Sequence, residues 1–410
     1  MTLGGARYRR VLATPGVAPL YALTVLGRVP IGLVTIALVL FLREETGSFT
    51  VAGLAAAGYA LGTGLVAPFL GRLIDRLGQR PVLLPLAVVH ATSMACLVPL
   101  GHADVHPAVL VAVAWVTGAT VPPLSSALRA LWPTLLGEQR DELLPAALAL
   151  DAIAIELIFV TGPLLVAAAA AVLVPEAALL FGAALTLAGT VAFVAQPASR
   201  ATGPSVRTGD HGLLGAMAAP GVRAVVLCTV PAGFCFGATE VALPAFARAE
   251  GAPDAAGLLL AAWALTSAAG GFAYGARSWT SPVAQRWPLL LLGCGVTFLP
   301  LALAPSVAVM VPLAMVAGCC IAPAITAGNE LVGRLAPSGV GTEAYTWVTM
   351  ALVGGIAGGN AVAGALAEGP GWRAAVLTAA IVALAGGALA TTRRRALVAA
   401  PSLSGAEAPR

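Results

Sequence analysis

A chain of 410 residues, 59% hydrophobic and only 10% charged, with a mean hydropathy of +0.93, cannot furnish the roughly 25% charged residues of a soluble domain, so its solvent is lipid. The formal net charge of +4 is carried by arginine alone, since the chain holds no lysine; a P-loop sets a lysine on the β/γ-phosphates, so ATP hydrolysis of that type is excluded and any transport must run on a gradient. The six cysteines, Cys96, Cys228, Cys235, Cys294, Cys319 and Cys320, stand in apolar runs without metal-ligand spacing, and no metal or cofactor is expected.

A transmembrane helix needs about 20 apolar residues. Windows of that kind recur at 17–42, 51–71, 81–101, 107–128, 144–172, 177–196, 222–246, 255–275, 287–304, 306–328, 343–366 and 372–391, which predicts an all-α membrane protein of twelve spans. The first run exceeds the 7–15 residues of a signal-peptide core, so it is expected to remain as a span. It contains Arg28 and Pro30, and the second contains Tyr59. The polar segment 101–106, with His102, Asp104 and His106, reads as a loop and not as a metal site.

Between the second and third spans stands GRLIDRLGQRP, with Gly71, Arg72, Asp75, Arg76, Gly78 and Arg80. This resembles the loop signature of the major facilitator superfamily, and it falls in the loop where that family carries it. The resemblance implies two pseudo-symmetric six-helix bundles and alternating access. It also implies that Asp75 faces the start of helix eleven, where a carboxylate meets the positive helix end. The same resemblance implies an acid near the inner end of helix four, where this chain has Arg129.

The fifth span carries Asp151, Glu156 and the pair Gly162-Pro163. FVTGPLL resembles the antiporter motif of the superfamily, although the flanking glycines are replaced by Ile158, Val166 and Ala167. Ionisable groups at depth point to function or to a buried pair. Arg28 is expected about 16 Å in, Asp151 about 11 Å and Glu156 about 18 Å, at 1.5 Å per residue. In the resembled fold helices one and five are neighbours, so Arg28 is expected to pair with Asp151 or Glu156.

A Gly-, Pro-, Ser- and Arg-rich stretch near 197–221 breaks the hydropathy. The resulting division is an amino-terminal bundle 1–198, a central cytoplasmic loop 199–221, a carboxy-terminal bundle 222–395 and a cytoplasmic tail 396–410. At an offset of 204 residues, 52–71 matches 256–275 at seven positions, including Leu54/Leu258, Leu61/Leu265 and Gly71/Gly275, as parallel repeats would.

In the second half, GATEVALPAFA in span seven carries Glu240, and EAYTWV at 343–348 precedes GGIAGGN; these segments resemble drug-exporter carriers of actinobacterial type. The glycines four apart predict close helix packing. Candidate pocket walls are Tyr59, Phe234, Phe236, Trp263, Asn329 and Asn360. Prolines are expected to interrupt helices one, four, seven and ten.

If the amino terminus is cytoplasmic, the outer loops keep only Arg43, Arg248 and Arg373, which the positive-inside rule favours. The expected function is a proton-coupled, multi-pass exporter of small amphipathic or drug-like molecules in the cell membrane, acting as a monomer. Arg28, Asp151, Glu156 and Glu240 are its proton or substrate residues. Its partners are substrate, protons and lipid, without nucleic acid, and no enzymatic activity is expected. The alternative is an importer or uniporter of a polar metabolite, for which Asn329 and Glu330 supply few polar walls. A non-transporting sensor or scaffold lacks any soluble module to support it.

Overall fold

The computed structural model describes residues 3–103, 105–172, 175–204 and 215–398, and among these there is no strand. Residues 205–214 of the central loop, Asp104 and the tail from 399 onward lie outside the described residues.

A short surface helix α1 (Leu3–Ala13) precedes span one, which is broken into α2 (Val17–Arg28) and α3 (Pro30–Thr46). The break follows from Pro30, which has no N–H to return to the preceding turn. Spans two and three are α4 (Phe49–Leu77) and α5 (Gln79–His102). Span four is broken into α6 (Pro107–Ala119) and α7 (Leu124–Leu136) around Pro122 and Pro123. Spans five and six are α8 (Arg140–Val172) and α9 (Pro175–Ala195), followed by the short α10 (Pro197–Arg200).

The second half opens with a 3₁₀ turn, Gly215–Ala218, and α11 (Pro220–Ala249) and α12 (Ala255–Ala276) are spans seven and eight. Span nine is α13 (Val283–Phe298) with a 3₁₀ extension to Leu303, and span ten is α14 (Val307–Gly318) plus α15 (Ile321–Leu335). Spans eleven and twelve are α16 (Gly341–Glu368) and α17 (Trp372–Thr392). Eleven apolar stretches are long enough to cross, but one of them, Pro107–Ile158, runs for 52 residues and holds spans four and five, giving twelve crossings.

The proline expectation needs correction in two places. Helix α11 runs unbroken through Pro231 and Pro244, because neighbouring helices can satisfy the freed carbonyls of a membrane helix. Span ten breaks at Cys319 and Cys320, ahead of Pro323.

Packing within the two bundles repeats with every span number raised by six. Spans one and five, two and four, and three and six are in contact through α3 with α8, α4 with α6 and α5 with α9. Seven and eleven, eight and ten, and nine and twelve follow through α11 with α16, α12 with α14 and α13 with α17. The residues matched at the 204 offset behave alike: Leu54 and Leu258 are 55% and 57% exposed, and Leu61 and Leu265 are 56% and 67% exposed. Matching exposure at matching positions is what a parallel repeat requires.

The apolar core of the amino-terminal bundle falls into two clusters, one around Leu20, Leu128 and Leu144, the other around Leu33, Phe41 and Leu110. Between them lies a buried polar belt of Thr24, Arg28, His90, Thr117, Asp151, Thr186 and Thr190. The carboxy-terminal bundle has one continuous apolar cluster.

Candidate functional site

At the centre of the polar belt, Arg28 ends α2, where unpaired helix carbonyls favour a cation. Its guanidinium pairs through Nη1 with Asp151 Oδ1 on α8. The other carboxylate oxygen, Oδ2, receives Arg129 of α7 through Nε at 2.6 Å and Nη2 at 2.5 Å. Asp151 is fully buried and the two arginines are 2% and 8% exposed. The triad carries one surplus positive charge, and Nε and Nη2 of Arg28 have no acceptor among the described residues.

The expected partner of Arg28 is thus Asp151 and not Glu156. Five residues along a helix turn the side chain by about 140°, so the two acids of α8 cannot meet the same neighbour. Glu156 instead accepts a hydrogen bond at 2.8 Å from Ser267 Oγ of α12, in the other bundle. It is 6% exposed and has no cation partner among the described residues.

The bundles are joined at the end of the molecule that carries the termini. Asp75, in the last turn of α4, accepts from the amides of Thr342 at 3.1 Å and Glu343 at 2.8 Å, at the start of α16, as the resemblance implied. The signature residues Gly71, Arg72, Asp75 and Arg76 are helical, Gly78 makes the turn at φ 91°, and Arg80 is the second residue of α5. Arg76 and Arg80 are exposed. Close approach requires Gly71, since a Cβ there would lie 2.9 Å from the Glu343 Cα.

Further contacts tie the same end. Arg72 pairs with Glu343 at 2.8 Å, Arg140 donates to the Gly333 carbonyl at 2.8 Å, and Arg334 reaches Asp141 at 3.3 Å. Tyr8 donates to the Phe272 carbonyl at 2.7 Å, and Arg129 donates to Asn329 at 3.4 Å. The Glu156–Ser267 bond is the deepest of these polar contacts; Ser267 lies about 14 Å along α12 from its terminus-side end.

The expected pocket walls divide. Glu240 of α11 is exposed although Phe236, Gly237 and Leu243, three or four positions away, are buried, so its carboxylate opens into internal space rather than lipid. Asn360 Nδ2 donates to it at 3.4 Å. Phe236 meets Trp263 edge to face at 4.8 Å. Phe234 is half-buried where α11 crosses Gly358 and Gly359. Two residues are corrected. Tyr59 is 7% exposed in the core of the amino-terminal bundle, close against Gly118, because α4 packs there on α6. Asn329 belongs to the contact with Arg129, on the buried face of α15. Gly162 and Pro163 fall within α8, but their surroundings lie outside the described residues.

Sequence reasoning missed Arg129 as a partner of Asp151, Glu343 as a partner of Arg72, and Ser267. It also missed His90, whose Nδ1 lies 2.8 Å from the Thr117 carbonyl. Arg129 was visible as a charge at the inner end of helix four, and His90 as a polar residue within an apolar run; Ser267 carried no signal.

No curated protein matches the chain. Among solved structures, a bacterial homologue of the iron transporter ferroportin in an outward-facing state is similar at 16% identity and a TM-score of 0.76, covering 92% of this chain and 98% of that one. The human organic anion transporter TETRAN gives 20% identity and 0.67, over 93% and 99% of the two chains. The E. coli fucose:proton symporter gives 15% and 0.69, over 93% and 99%. The profile of the Major Facilitator Superfamily matches residues 20–276, more than half of the sequence, and with the twelve-span double bundle this makes the chain a membrane transporter that belongs to the Major Facilitator Superfamily.

Proposed function

We propose that the protein is a proton-coupled exporter of small amphipathic or drug-like molecules, working as a monomer in the cell membrane by alternating access. The observation that carries this reading is Glu156, an acid at mid-depth with a neutral hydroxyl from the opposite bundle as its partner. A carboxylate in that setting is costly when ionised and inexpensive when protonated. Asp151, by contrast, is compensated by two guanidiniums, so Glu156 is the group whose proton can come and go. Because Ser267 belongs to the other bundle, that proton acts at the junction that must open and close.

The arginine distribution supports a cytoplasmic position for the terminus-side end; on that reading the contacts around Asp75 close the inner side and this conformation faces outward. Glu240, backed by Phe236 and Trp263, offers a carboxylate and aromatic surface to the substrate. The cargoes of the similar structures, an organic anion, iron and fucose, are too diverse to choose one, and the substrate class is read from these side chains.

A second reading, an importer or uniporter of a polar metabolite, is favoured by Nε and Nη2 of Arg28, whose N–H groups have no acceptor among the described residues and suit a carboxylate-bearing solute. Reconstitution in proteoliposomes separates the two readings. A proton gradient should drive uphill movement of cytotoxic amphiphiles, an uncoupler should abolish it, and Glu156→Gln should lose uphill movement while keeping downhill exchange. A Glu156→Gln variant that still concentrates substrate would remove Glu156 from the mechanism, and gradient-independent uptake of polar anions alone would favour the second reading.

A further inference from the structure

The last turn of the segment linking the bundles is fastened to the junction by one buried side chain, Glu343. Its carboxylate is fully buried. It receives Arg72 of the amino-terminal bundle in a two-point pairing, Nη2 to Oε1 at 2.8 Å and Nε to Oε2 at 3.1 Å. From its own bundle it receives the Ala216 amide at 3.1 Å and the Trp347 indole N–H at 3.4 Å, both on Oε1. Its backbone amide is one of the two that hold Asp75. Glu343 also stands in the first turn of α16, where the helix dipole favours an acid.

These partners divide by bundle. When the bundles separate on this side, Arg72 and Asp75 depart together, because both belong to α4. Ala216 and Trp347 travel with Glu343. We infer that Glu343 is a positioning residue of the transport cycle: the turn Gly215–Ala218 holds its carboxylate in the orientation that Arg72 requires, so that the inner side recloses onto a preformed receptor. This inference rests on the alternating-access reading above.

Two features separate this role from that of an ordinary surface ion pair. The carboxylate is shielded from water, so its pairing is weakly screened, and two of its four donors are neutral groups that stay in place when the ionic partner leaves. Gly215 provides the approach. It sits at φ 52°, and a Cβ there would run into Glu343 Oε1 and come within 2.5 Å of Arg72 Nη2. A methyl group at 215 therefore wedges the pair apart without removing any polar group.

The test reads inner-side opening directly, without a substrate. In full-length protein lacking its native cysteines, a cysteine replaces Ala149, which is buried against Gly275 of the opposite bundle. Its alkylation by a membrane-impermeant maleimide is followed in vesicles with the terminus side accessible. Glu343→Gln and Gly215→Ala should each raise the labelling rate severalfold, as should Asp75→Asn, with every variant monodisperse in detergent. The exchange Arg72→Glu with Glu343→Arg should fail to restore slow labelling, because an arginine at 343 faces two N–H donors and a positive helix end. Faster labelling in Asp75→Asn with none in Glu343→Gln and Gly215→Ala would overturn the role of Glu343 while leaving alternating access intact. Slow labelling in the exchanged pair would reduce it to a simple ion pair and overturn the part given to the Ala216 turn. Unchanged labelling in all variants, Asp75→Asn included, would remove the junction reading and this inference with it.

Discussion

Replacing Asp151 by asparagine deletes one charge and almost no volume, so it isolates the electrostatics of the belt. Arg28 and Arg129, 2% and 8% exposed, would both lose their ionic partner, and the surplus charge would rise from one to two. Breaking a buried pair from one side costs about 3–5 kcal/mol, and with two guanidiniums stranded the upper end is expected. About 5 kcal/mol is more than three decades in an equilibrium constant and a third or more of the about 5–15 kcal/mol that holds a typical domain folded. The assay is the fraction of detergent-solubilised protein that stays monodisperse after graded heating, run as a double-mutant cycle with Arg28→Met. That second change alone leaves Asp151 with Arg129 and a neutral belt, so it should be the milder one. In the Asp151→Asn background it should recover about 0.5–3 kcal/mol, the range for side chains in direct contact. A variant Asp151→Asn as heat-resistant as its parent, or a cost that Arg28→Met leaves unchanged, would refute the triad as a stabilising unit.

Three further outcomes follow from the geometry. Asp75→Asn removes a charge from a helix start in a partly buried setting, worth up to about 2 kcal/mol; the joined state should lose up to about thirtyfold in population, slowing turnover more than substrate binding, and unchanged turnover would sink the latch. Gly275→Val places a Cβ 2.5 Å from that of Ala149 and from the Tyr8 hydroxyl; overpacking of about 1–3 kcal/mol should raise alkylation of a cysteine at the same junction tenfold or more, and slow labelling would show that α8 and α12 yield. Glu240→Gln should cut export of positively charged amphiphiles severalfold and spare neutral ones of the same size; equal losses for both would take Glu240 out of substrate recognition.

Much of this protein is legible without coordinates because the bilayer imposes a one-dimensional rule. Every backbone group must be satisfied within the span, so span length and count follow from hydropathy. The signature from Gly71 to Arg80 and the 204-residue repeat then identify the double bundle, and the matched exposure of Leu54 with Leu258 and of Leu61 with Leu265 reflects it. The depth of Arg28, Asp151 and Glu156 is legible too, since rise per residue is constant.

Which charge meets which is not a matter of depth. It depends on how far each helix is rotated and which helix lies beside it, and those angles come from packing many apolar side chains at once. The rotation of α8 turned Asp151 inward to Arg28 and Arg129 while sending Glu156 to Ser267 in the other bundle. The same kind of rotation placed Tyr59 inside a bundle and Asn329 beside Arg129. Glu343 acquires its role only where α4, α16 and the turn at Ala216 close around it. The sequence by itself determined the spans, the repeat, the signature and the height of each charge, because these are properties of a single helix in lipid; the tertiary structure decided the pairings, because they are set by the relative azimuths of helices distant in the chain.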